Sequence, residues 1–255
     1  MLFDTHIHTE FSSDSTMRLD EAVQAAQEKG VGLIVTEHMD LYYPDEGKFV
    51  FSPAAYFEKY GPQRSERLLL GIELGMQVQY AEEERAVAHE APFDYVLGSA
   101  HMVEGLDLYY ETFYQKHTRK ECFDLYFETM ADCIRTHPYI DALGHIDYIC
   151  RYARFDDKEI RYAQHAERID AVLRAAVENE VALEINTRRL GAAETREALL
   201  PIYRRYYALG GRLATIGSDA HGSAAIGMHF ALAQELAQAA ELQLVYFKER
   251  KPSFM

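Results

Sequence analysis

Short apolar runs recur along the chain, and most are followed by a longer segment in which apolar residues return every three or four positions. Runs of this kind predict β-strands, and the helical spacing between them predicts α-helices. The predicted strands are residues 2–7, 31–36, 68–74, 93–99, 139–143, 181–185 and 213–216, and a further edge strand is expected at 242–247.

Capping residues indicate where several helices begin and end. Gly30 ends a helix over 19–29, and Ser52 followed by Pro53 begins another. Further helices are predicted at 80–90, 118–136, 157–178, 194–209 and 228–240. Residues 102–117 interrupt the alternation, and we expect them to form a mobile insertion over the strand ends. This insertion is rich in aromatic residues, namely Tyr109, Tyr110, Phe113 and Tyr114.

Seven strand-then-helix units in strict alternation predict an α/β fold with a parallel sheet and helical crossovers. Seven uninterrupted units favour a closed or nearly closed barrel over an open sheet. The length of 255 residues suits a single α/β barrel. No linker, low-complexity tract or repeat divides the sequence, so we expect residues 1–255 to form one domain.

Composition and charge exclude several classes of partner. The chain has 41 acidic and 26 basic residues, and its net charge of −15 repels polyanions such as nucleic acids and anionic membranes. Cys122, Cys133 and Cys150 form no C-x-x-C pair, and their odd number argues against a disulfide framework. The sequence has neither a signal-peptide pattern nor a membrane-length apolar run. We therefore expect a soluble, cytoplasmic protein.

Histidine and acidic residues lie at or just after the ends of the predicted strands. His6 and His8 are two apart on an extended chain, so their imidazoles lie on one face. The carboxyl ends of the strands of a parallel barrel form a single face, where loops from separate strands meet. The predicted metal ligands on that face are His6, His8, Asp14, His38, Glu73, His101, His145, Asp219 and His221.

Six imidazoles and three carboxylates are too many ligands for one ion, since zinc takes about four and an octahedral ion about six. Two or three clustered ions would use all nine, and Glu73, the acid near the middle of the set, is the natural bridge. The other five of the eleven histidines fall in helices or in the insertion. We expect these to be surface or packing residues: His89, His117, His137, His165 and His229.

Six short motifs, which follow one another between residues 3 and 221, resemble those of the PHP (polymerase and histidinol phosphatase) family. They are Phe3-Asp4-Thr5-His6-Ile7-His8-Thr9, Thr36-Glu37-His38, Gly71-Ile72-Glu73, Gly98-Ser99-Ala100-His101, Gly144-His145-Ile146-Asp147 and Gly217-Ser218-Asp219-Ala220-His221. Each motif is short, but six in the same order make the resemblance specific. The chain length and the pieces Gly-His-Ile-Asp-Tyr and Glu-Ile-Asn-Thr are most similar to the stand-alone histidinol-phosphate phosphatases of that family.

The resemblance implies a distorted seven-stranded (β/α)7 barrel with a trinuclear metal site. It divides the ligands among three ions: His6, His8, Glu73 and Asp219 for the first, Glu73, His101 and His145 for the second, and Asp14, His38 and His221 for the third. Asp20 is the nearby alternative to Asp14. The ligand set contains no thiolate, which disfavours a purely structural zinc site and leaves zinc, manganese or iron as the expected metals.

The resemblance also implies an activity, the metal-dependent hydrolysis of a small phosphate monoester. The reaction would convert L-histidinol phosphate to L-histidinol and phosphate in histidine biosynthesis. The expected catalytic residues are Asp219, His221 and His101, and either Asp219 or His221 would protonate the leaving alkoxide.

Other residues are expected to support substrate and ligands. Arginines after the fifth and sixth strands would bind the phosphate through bidentate hydrogen bonds, namely Arg151, Arg188 and Arg189. The aromatic insertion would either stack on an imidazole-bearing substrate or form an ordinary packed flap. Asp4, Glu37 and Asp147 are expected to orient the ligating imidazoles.

Two other functions use the same residues. One is a PHP-type phosphodiesterase or nuclease that acts on short nucleotides, because a metal cluster does not reveal whether the phosphate is terminal or bridging. The other is a non-catalytic metal-binding module. Such modules usually lose some ligands, whereas all nine positions are filled in this chain. The oligomeric state is left open by the sequence.

Overall fold

The computed structural model describes residues 1–255 and contains eleven strands. They are β1 (Phe3–Ile7), β2 (Gly32–Met39), β3 (Leu68–Gly75), β4 (Tyr95–Ser99), β5 (Met102–Val103), β6 (Leu106–Asp107), β7 (Ala142–Leu143), β8 (Ala182–Asn186), β9 (Leu213–Gly217), β10 (Gln243–Lys248) and β11 (Lys251–Phe254). Nine of them form one sheet in the order β1-β2-β3-β4-β7-β8-β9-β10-β11, whereas β5 and β6 form a separate hairpin.

Nine helices accompany these strands, and seven of them correspond to helices that the pattern predicts. They are α1 (Leu19–Lys29), α2 (Pro53–Tyr60), α3 (Ala81–Ala88), α4 (Glu111–Lys116), α5 (Arg119–Thr136), α6 (Ile149–Tyr152), α7 (Ala166–Glu178), α8 (Ala193–Ala208) and α9 (Phe230–Ala239). Gly30 ends α1 in the left-handed region with φ 68°, and Ser52 Oγ accepts a hydrogen bond from the N–H of Ala55 at the start of α2. No helix combines the length and the apolar character that crossing a membrane requires.

Seven parallel strands close into a barrel, which confirms the predicted architecture. Each strand from β1 to β9 in the large sheet pairs in parallel with the next. The ring closes between β1 and β9 near their carboxyl ends, where His8 N donates to Ala220 O (2.9 Å) and Asp219 N donates to His6 O (2.7 Å). Asp219 adopts φ 54°, a left-handed conformation that aspartate tolerates better than most residues.

The barrel is distorted because β10 occupies the amino-terminal edge of β9. Gln243 and Leu244 pair in parallel with Leu213 and Ala214. β1 therefore meets β9 only at the other end. β11 turns back antiparallel to β10, and the side chain of Arg250, within this turn, donates to Asp141 Oδ2 (2.5 Å), directly before β7.

The amino-terminal end of the barrel interior is filled by an apolar plug. Val245 and Phe247 of β10 enter it, and the Phe247 ring stacks on Tyr95 at 5.5 Å between centroids. The nine buried residues of the plug are Phe3, Ile34, Leu69, Tyr95, Leu97, Ala142, Ala182, Val245 and Phe247. A larger core of 62 buried residues lies outside the barrel, most of it where the helices cover the strands. The strands are thus buried on both faces.

Three sequence predictions need correction. The helix predicted at 157–178 begins only at Ala166, because the side chain of Arg119 binds the backbone oxygens of Asp157 and Glu159 and holds this segment in a loop. The fifth strand is reduced to Ala142–Leu143, and the short helix α6 follows it. The expected edge strand β10 instead lies inside the sheet, with β11 beyond it.

The aromatic insertion forms the β5–β6 hairpin and α4. Its four aromatic residues divide into two pairs. Phe113 and Tyr114 are buried in the outer core, whereas Tyr109 and Tyr110 are about half exposed and face the carboxyl end of the barrel, where the cavity described below lies. The insertion is therefore partly a packed element and partly a wall of that cavity.

Candidate metal centre

The nine predicted ligands come together at the carboxyl ends of the barrel strands. Each lies within a strand or just after one, except Asp14 in the loop after β1: His6 and His8 (β1), His38 (β2), Glu73 (β3), His101 (β4), His145 (β7), Asp219 and His221 (β9). The cluster is deeply buried on one side and open on the other. His6, His8 and Glu73 have no exposed surface, whereas the Asp14 side chain is 39% exposed.

The first predicted ligand group has the spacing expected around an ion. His6 Nε2 lies 3.0 Å from His8 Nε2, 3.3 Å from Glu73 Oε2 and 3.7 Å from Asp219 Oδ1. His8 Nε2 lies 3.4 Å from Glu73 Oε2 and 3.5 Å from Asp219 Oδ1. Ligand atoms at 2.0–2.2 Å from one ion are about 3.0–3.5 Å apart. The distances from His6 and His8 to these two carboxylates are those that a shared cation would require.

Glu73 lies between the first and second predicted groups. Its Oε2 faces His6 and His8, whereas its Oε1 faces His145 Nε2 at 2.9 Å and His101 Nε2 at 3.3 Å. Ser99 Oγ donates to the same Oε1 atom at 2.7 Å and fixes the orientation of the carboxylate. A carboxylate in this position would hold a cation on each of its two sides.

The third predicted group is the one nearest solvent. Asp14 Oδ2 lies 3.0 Å from His221 Nε2 and 3.6 Å from His38 Nε2. His38 Nδ1 also lies 2.9 Å from Glu73 Oε2, which joins this group to the first. The alternative acid, Asp20, is 66% exposed and forms an ion pair with Arg18. The structure thus places Asp14, and not Asp20, beside the imidazoles.

The electrostatics of the cluster keep its carboxylates charged. Burial raises the pKa of Glu73, but the imidazoles of His6, His38 and His101 outweigh burial and hold it well below its ordinary value. Burial likewise opposes charge on Asp219, whose pKa is held well below its ordinary value by Arg151 and His6. Fixed negative charge therefore lies at the centre of the site.

The pKa values of two buried imidazoles, His6 and His8, shift in opposite directions. Burial lowers the pKa of His6, but Glu73, Glu184 and Asp219 outweigh it and raise that pKa well above its ordinary value. Burial and the neighbouring imidazoles of His38 and His221 lower the pKa of His8 well below its ordinary value. A neutral imidazole is the form that binds a metal.

The unpartnered atoms of the cluster fit a metal ion. His38 Nδ1 and Glu73 Oε2 lie 2.9 Å apart within the cluster, are buried and make no hydrogen bond of acceptable geometry. Groups of three ligand atoms lie within 4.8 Å of one another, and together they include every predicted ligand except Asp14. Nitrogen and oxygen donors without thiolates suit zinc, manganese or iron. The residues present therefore fit divalent cations.

Three residues that hold the ligating imidazoles were not predicted. Glu184 Oε1 accepts from His6 Nδ1 (2.7 Å), and Asp40 Oδ1 accepts from His101 Nδ1 (2.7 Å). Ser12 Oγ lies 3.1 Å from His8 Nδ1. Two of them carry a sequence signal. Glu184 is a lone charge in an apolar strand, and Asp40 follows His38 with the same one-residue gap that separates Asp219 from His221.

Only one of the three predicted orienting acids is connected to a ligand. Glu37 accepts from Ser12 Oγ (2.6 Å) and so reaches His8 through that hydroxyl. Asp4 instead accepts from the backbone N–H groups of Ser218 and Gly227, both at 2.8 Å. Asp147 pairs with Arg189. The prediction that Asp4 and Asp147 contact ligating imidazoles was therefore wrong.

A cavity of about 400 Å³ opens above the cluster. Its floor is formed by members of the ligand set, and its walls are largely aromatic. The aromatic lining residues are Tyr43, Phe49, Tyr109, Tyr110, Tyr148 and Tyr152. Among the lining acids, Asp107 alone does not contact the imidazole cluster, because its carboxylate accepts from Tyr43 OH (2.6 Å) and from the N–H of Tyr109 (2.7 Å).

Two of the three predicted arginines line this cavity. The guanidinium of Arg151 donates to Asp219 and to Asn186 Oδ1 (2.9 Å), and Arg188 lies 3.7 Å from Asp219 Oδ1. Arg189 does not line it. Its two arms bind Asp147 and Glu159, so its guanidinium is already occupied away from the cluster. We therefore do not include Arg189 in the proposed substrate-binding set.

The five remaining histidines lie outside the cluster. His137 and His165 are buried and paired with Glu84 and Asp124, and His117 pairs with Glu104 near the surface. His89, just after α3, contacts the backbone oxygen of Arg85 in that helix, and His229, just before α9, is partly buried. The sequence separated these residues from the six clustered imidazoles by their positions relative to the strand ends.

Comparisons with known proteins agree with this geometry. A family model described as "PHP domain" matches residues 4–188. A protein of Clostridium acetobutylicum described as a probable histidinol-phosphatase is 49% identical over 250 residues, which is 98% of each chain. A histidinol-phosphatase of Lactococcus lactis is 31% identical over 225 residues, 86% of this chain and 83% of the relative.

A solved structure resembles the fold over almost its whole length. It is the crystal structure of histidinol phosphate phosphatase from Lactococcus lactis in complex with zinc, L-histidinol and phosphate. Its TM-score is 0.93 at 28% sequence identity, with 99% of this chain and 98% of that chain covered.

Proposed function

Because the chain belongs to the PHP domain family, we propose that it is a metal-dependent phosphomonoesterase that hydrolyses L-histidinol phosphate to L-histidinol and phosphate. The observation that carries the proposal is the arrangement around Glu73. Its two oxygens face two different groups of imidazoles, beneath a cavity that two arginines line. The 49% identity to a probable histidinol-phosphatase supports the choice of substrate.

The residues that would hold metal ions divide around Glu73 as described above. His6, His8 and Asp219 lie on one side, His101 and His145 lie on the other, and Asp14, His38 and His221 lie towards the solvent. Divalent ions held there would supply Lewis-acid activation of the attacking water and of the phosphoryl group. Three such ions against three carboxylates would leave a local charge of about +3, which attracts a phosphate dianion despite the net charge of −15.

The arginines and titratable side chains of the cavity would act on the substrate directly. Arg151 and Arg188 are positioned to donate hydrogen bonds to phosphoryl oxygens, and the contact with Asn186 holds the Arg151 guanidinium in place. Both predicted proton donors, His221 and Asp219, line the cavity. Because Asp219 is held as a carboxylate, His221 is the candidate to donate a proton to the leaving alkoxide. The contact of His101 Nδ1 with Asp40 directs its Nε2 towards Glu73.

The cavity walls complement the organic part of L-histidinol phosphate. Tyr148, Tyr152, Tyr109 and Tyr110 offer ring faces on which an imidazole can stack. The Asp107 carboxylate, which pairs with no cation, would attract the ammonium group. These features select a cationic, imidazole-bearing ester from simple sugar or glycerol phosphates.

The test is phosphate release by protein purified without chelator. L-Histidinol phosphate is compared with ribose, glycerol and nucleotide monophosphates. We expect kcat/KM for L-histidinol phosphate to exceed the others by at least about tenfold, because each lost charged hydrogen bond costs about 1.5–3 kcal/mol. Equal, weak activity on all monoesters would contradict this substrate.

Two further measurements address the alternative functions. Faster hydrolysis of bis(p-nitrophenyl) phosphate than of p-nitrophenyl phosphate would favour a phosphodiesterase. Tight metal binding without hydrolysis of any phosphate ester would favour a non-catalytic module. The proposed phosphomonoesterase predicts a clear preference for the monoester.

A further inference from the structure

Strand β8 carries a buried acid that is not among the nine predicted ligands. Glu184 is 1% exposed and lies beneath the cluster, on the inward face of the barrel. Space for its carboxylate exists because residue 217 on the neighbouring strand is glycine, and a Cβ at that position would collide with Glu184 Oε1. A buried charge of this kind requires partners.

The two oxygens of Glu184 contact two different ligand residues. Oε1 accepts a hydrogen bond from His6 Nδ1 at 2.7 Å, which directs His6 Nε2 towards Glu73 and Asp219. Oε2 accepts from the backbone N–H of His145 at 2.7 Å and from Asn186 Nδ2 at 3.2 Å. One carboxylate therefore joins β1 to the segment after β7.

His145 depends on this backbone contact more than the other imidazoles of the cluster depend on theirs. Its ring has no partner at Nδ1, which is buried without a hydrogen bond, whereas the Nδ1 atoms of His6, His8 and His101 all have one. The His145 ring is therefore held on one side by the contact of its Nε2 with Glu73 and on the other through its main chain. Glu184 Oε2 is the side-chain group that binds that main chain at the N–H of His145.

We propose that Glu184 is a positioning residue that couples His6 to His145 and thereby sets metal affinity on both sides of Glu73. His6 belongs to the first predicted ion and His145 to the second. Loss of the carboxylate would loosen both sites together and leave the Asp14, His38 and His221 group in place. This inference rests on the proposed metal centre, but its test reads metal affinity and not turnover.

The chain contains a matched control for the carboxylate. Glu84 on α3 is also buried against an imidazole, with Oε2 at 2.5 Å from His137 Nε2, and it accepts one backbone N–H, that of Gln77. Neither Glu84 nor His137 contacts the cluster. Glu84→Gln therefore removes the same buried charge as Glu184→Gln, without touching a predicted ligand.

The experiment compares the wild-type chain with Glu184→Gln and Glu84→Gln. A glutamine amide oxygen still accepts from His6 Nδ1, but the amide NH₂ cannot accept from the His145 N–H. Each protein is equilibrated with Zn²⁺ or Mn²⁺ over a series of chelator-buffered concentrations, and bound metal is measured by elemental analysis. Substitution of an outer partner of a ligating histidine typically weakens metal binding about 10–100-fold.

We expect Glu184→Gln to require about 10–100-fold more free metal than the wild type to fill the sites of His6 and His145. The site of Asp14, His38 and His221 should fill at the same metal concentration as in the wild type. Glu84→Gln is expected to follow the wild-type curve. Glu184→Asp keeps the charge on a side chain one methylene shorter, reaches only one of the two partners and should give an intermediate curve.

Three results would overturn the inference. Identical binding curves for the wild type and Glu184→Gln would show that the carboxylate does not set metal affinity. Equal losses in Glu184→Gln and Glu84→Gln would assign the effect to burial alone. Failure of both Glu184 variants to fold at saturating metal would make the residue structural. A wild-type chain that binds no metal would overturn the proposed centre itself, which is a distinguishable outcome.

Discussion

The two ends of the barrel interior are built from the same strands but from opposite kinds of side chain. On β3, Leu69 and Glu73 lie four residues apart and therefore on the same inward face. Leu69 belongs to the apolar plug, whereas Glu73 lies at the centre of the imidazole cluster. On β8, Ala182 and Glu184 repeat the change within two residues.

This contrast assigns different tasks to the two ends. The amino-terminal end excludes water and is closed by β10, so it contributes stability through apolar burial. The carboxyl end gathers imidazoles and carboxylates, to which we assign the proposed metal centre. Parallel barrels commonly separate stability from chemistry in this way. The separation is testable, because substitutions at one end should leave the property of the other end unchanged.

The largest expected effect is on turnover at the carboxyl end. His101→Ala removes a predicted ligand of the second ion and should reduce kcat/KM by about a thousandfold or more, since lost Lewis-acid stabilisation amounts to several kcal/mol. The measurement is phosphate release from L-histidinol phosphate with metal supplied in excess. His89→Ala, at an exposed position just after α3, is the control and should retain wild-type activity. Near-normal turnover by metal-loaded His101→Ala would contradict the assignment of catalysis to the carboxyl end.

The corresponding substitution at the other end should affect stability instead. Phe247→Ala removes a ring that is 5% exposed in the plug, and we expect the free energy of unfolding to fall by about 3–5 kcal/mol. Chemical denaturation measures this loss. Bound metal and kcat of the folded protein should remain within about twofold of the wild type. A loss of metal without a loss of stability would contradict the separation of tasks.

Metal removal should reproduce the same division without any mutation. Chelation is expected to abolish phosphate release, and addition of zinc, manganese or iron should restore it. The apo protein should still unfold cooperatively, since the plug and the 62-residue outer core remain. Saturating metal should then raise the unfolding free energy by about 3–4 kcal/mol for each bound ion at 100–1,000 times its Kd. Full activity after exhaustive chelation would contradict a metal-dependent mechanism.

The smallest expected effect distinguishes the role of Arg151 from that of Arg189. Arg151→Lys keeps the charge but loses the planar fork, so we expect KM for L-histidinol phosphate to rise about 10–100-fold. Arg189→Lys should change KM by less than about threefold and lower the unfolding free energy instead, because Arg189 holds Asp147 and Glu159. Steady-state kinetics and denaturation of both variants measure the difference. A larger KM effect for Arg189→Lys would reverse the assignment.

The barrel and the ligand positions could be predicted because each depends on a local pattern. Apolar runs marked the strands, and the polar residue that ended each run, such as His38 or Glu73, was placed at the carboxyl face by strand direction alone. Strand alternation also separated His101 from His89, which lies at the end of a helix.

The remaining features depend on contacts between distant segments, which no local pattern contains. The helical pattern at 157–165 is overruled by hydrogen bonds from Arg119, 38 residues before Asp157. Arg188 and Arg189 are adjacent in sequence, yet one faces the cavity and the other faces Asp147. Glu184 forms a hydrogen bond with His6, which lies 178 positions earlier in the chain. Side-chain direction in loops and pairing across the barrel had to be seen in three dimensions.

The most direct test of the account is the metal content of Glu73→Gln beside that of the wild type and Leu69→Ala, all measured by elemental analysis after dialysis against the same free-metal concentration. If Glu73 bridges two cation sites, the wild type and Leu69→Ala should each retain two or three ions per chain, and Glu73→Gln should retain at most one. Equal metal content in all three proteins would show that the carboxyl end is not a centre organised around Glu73.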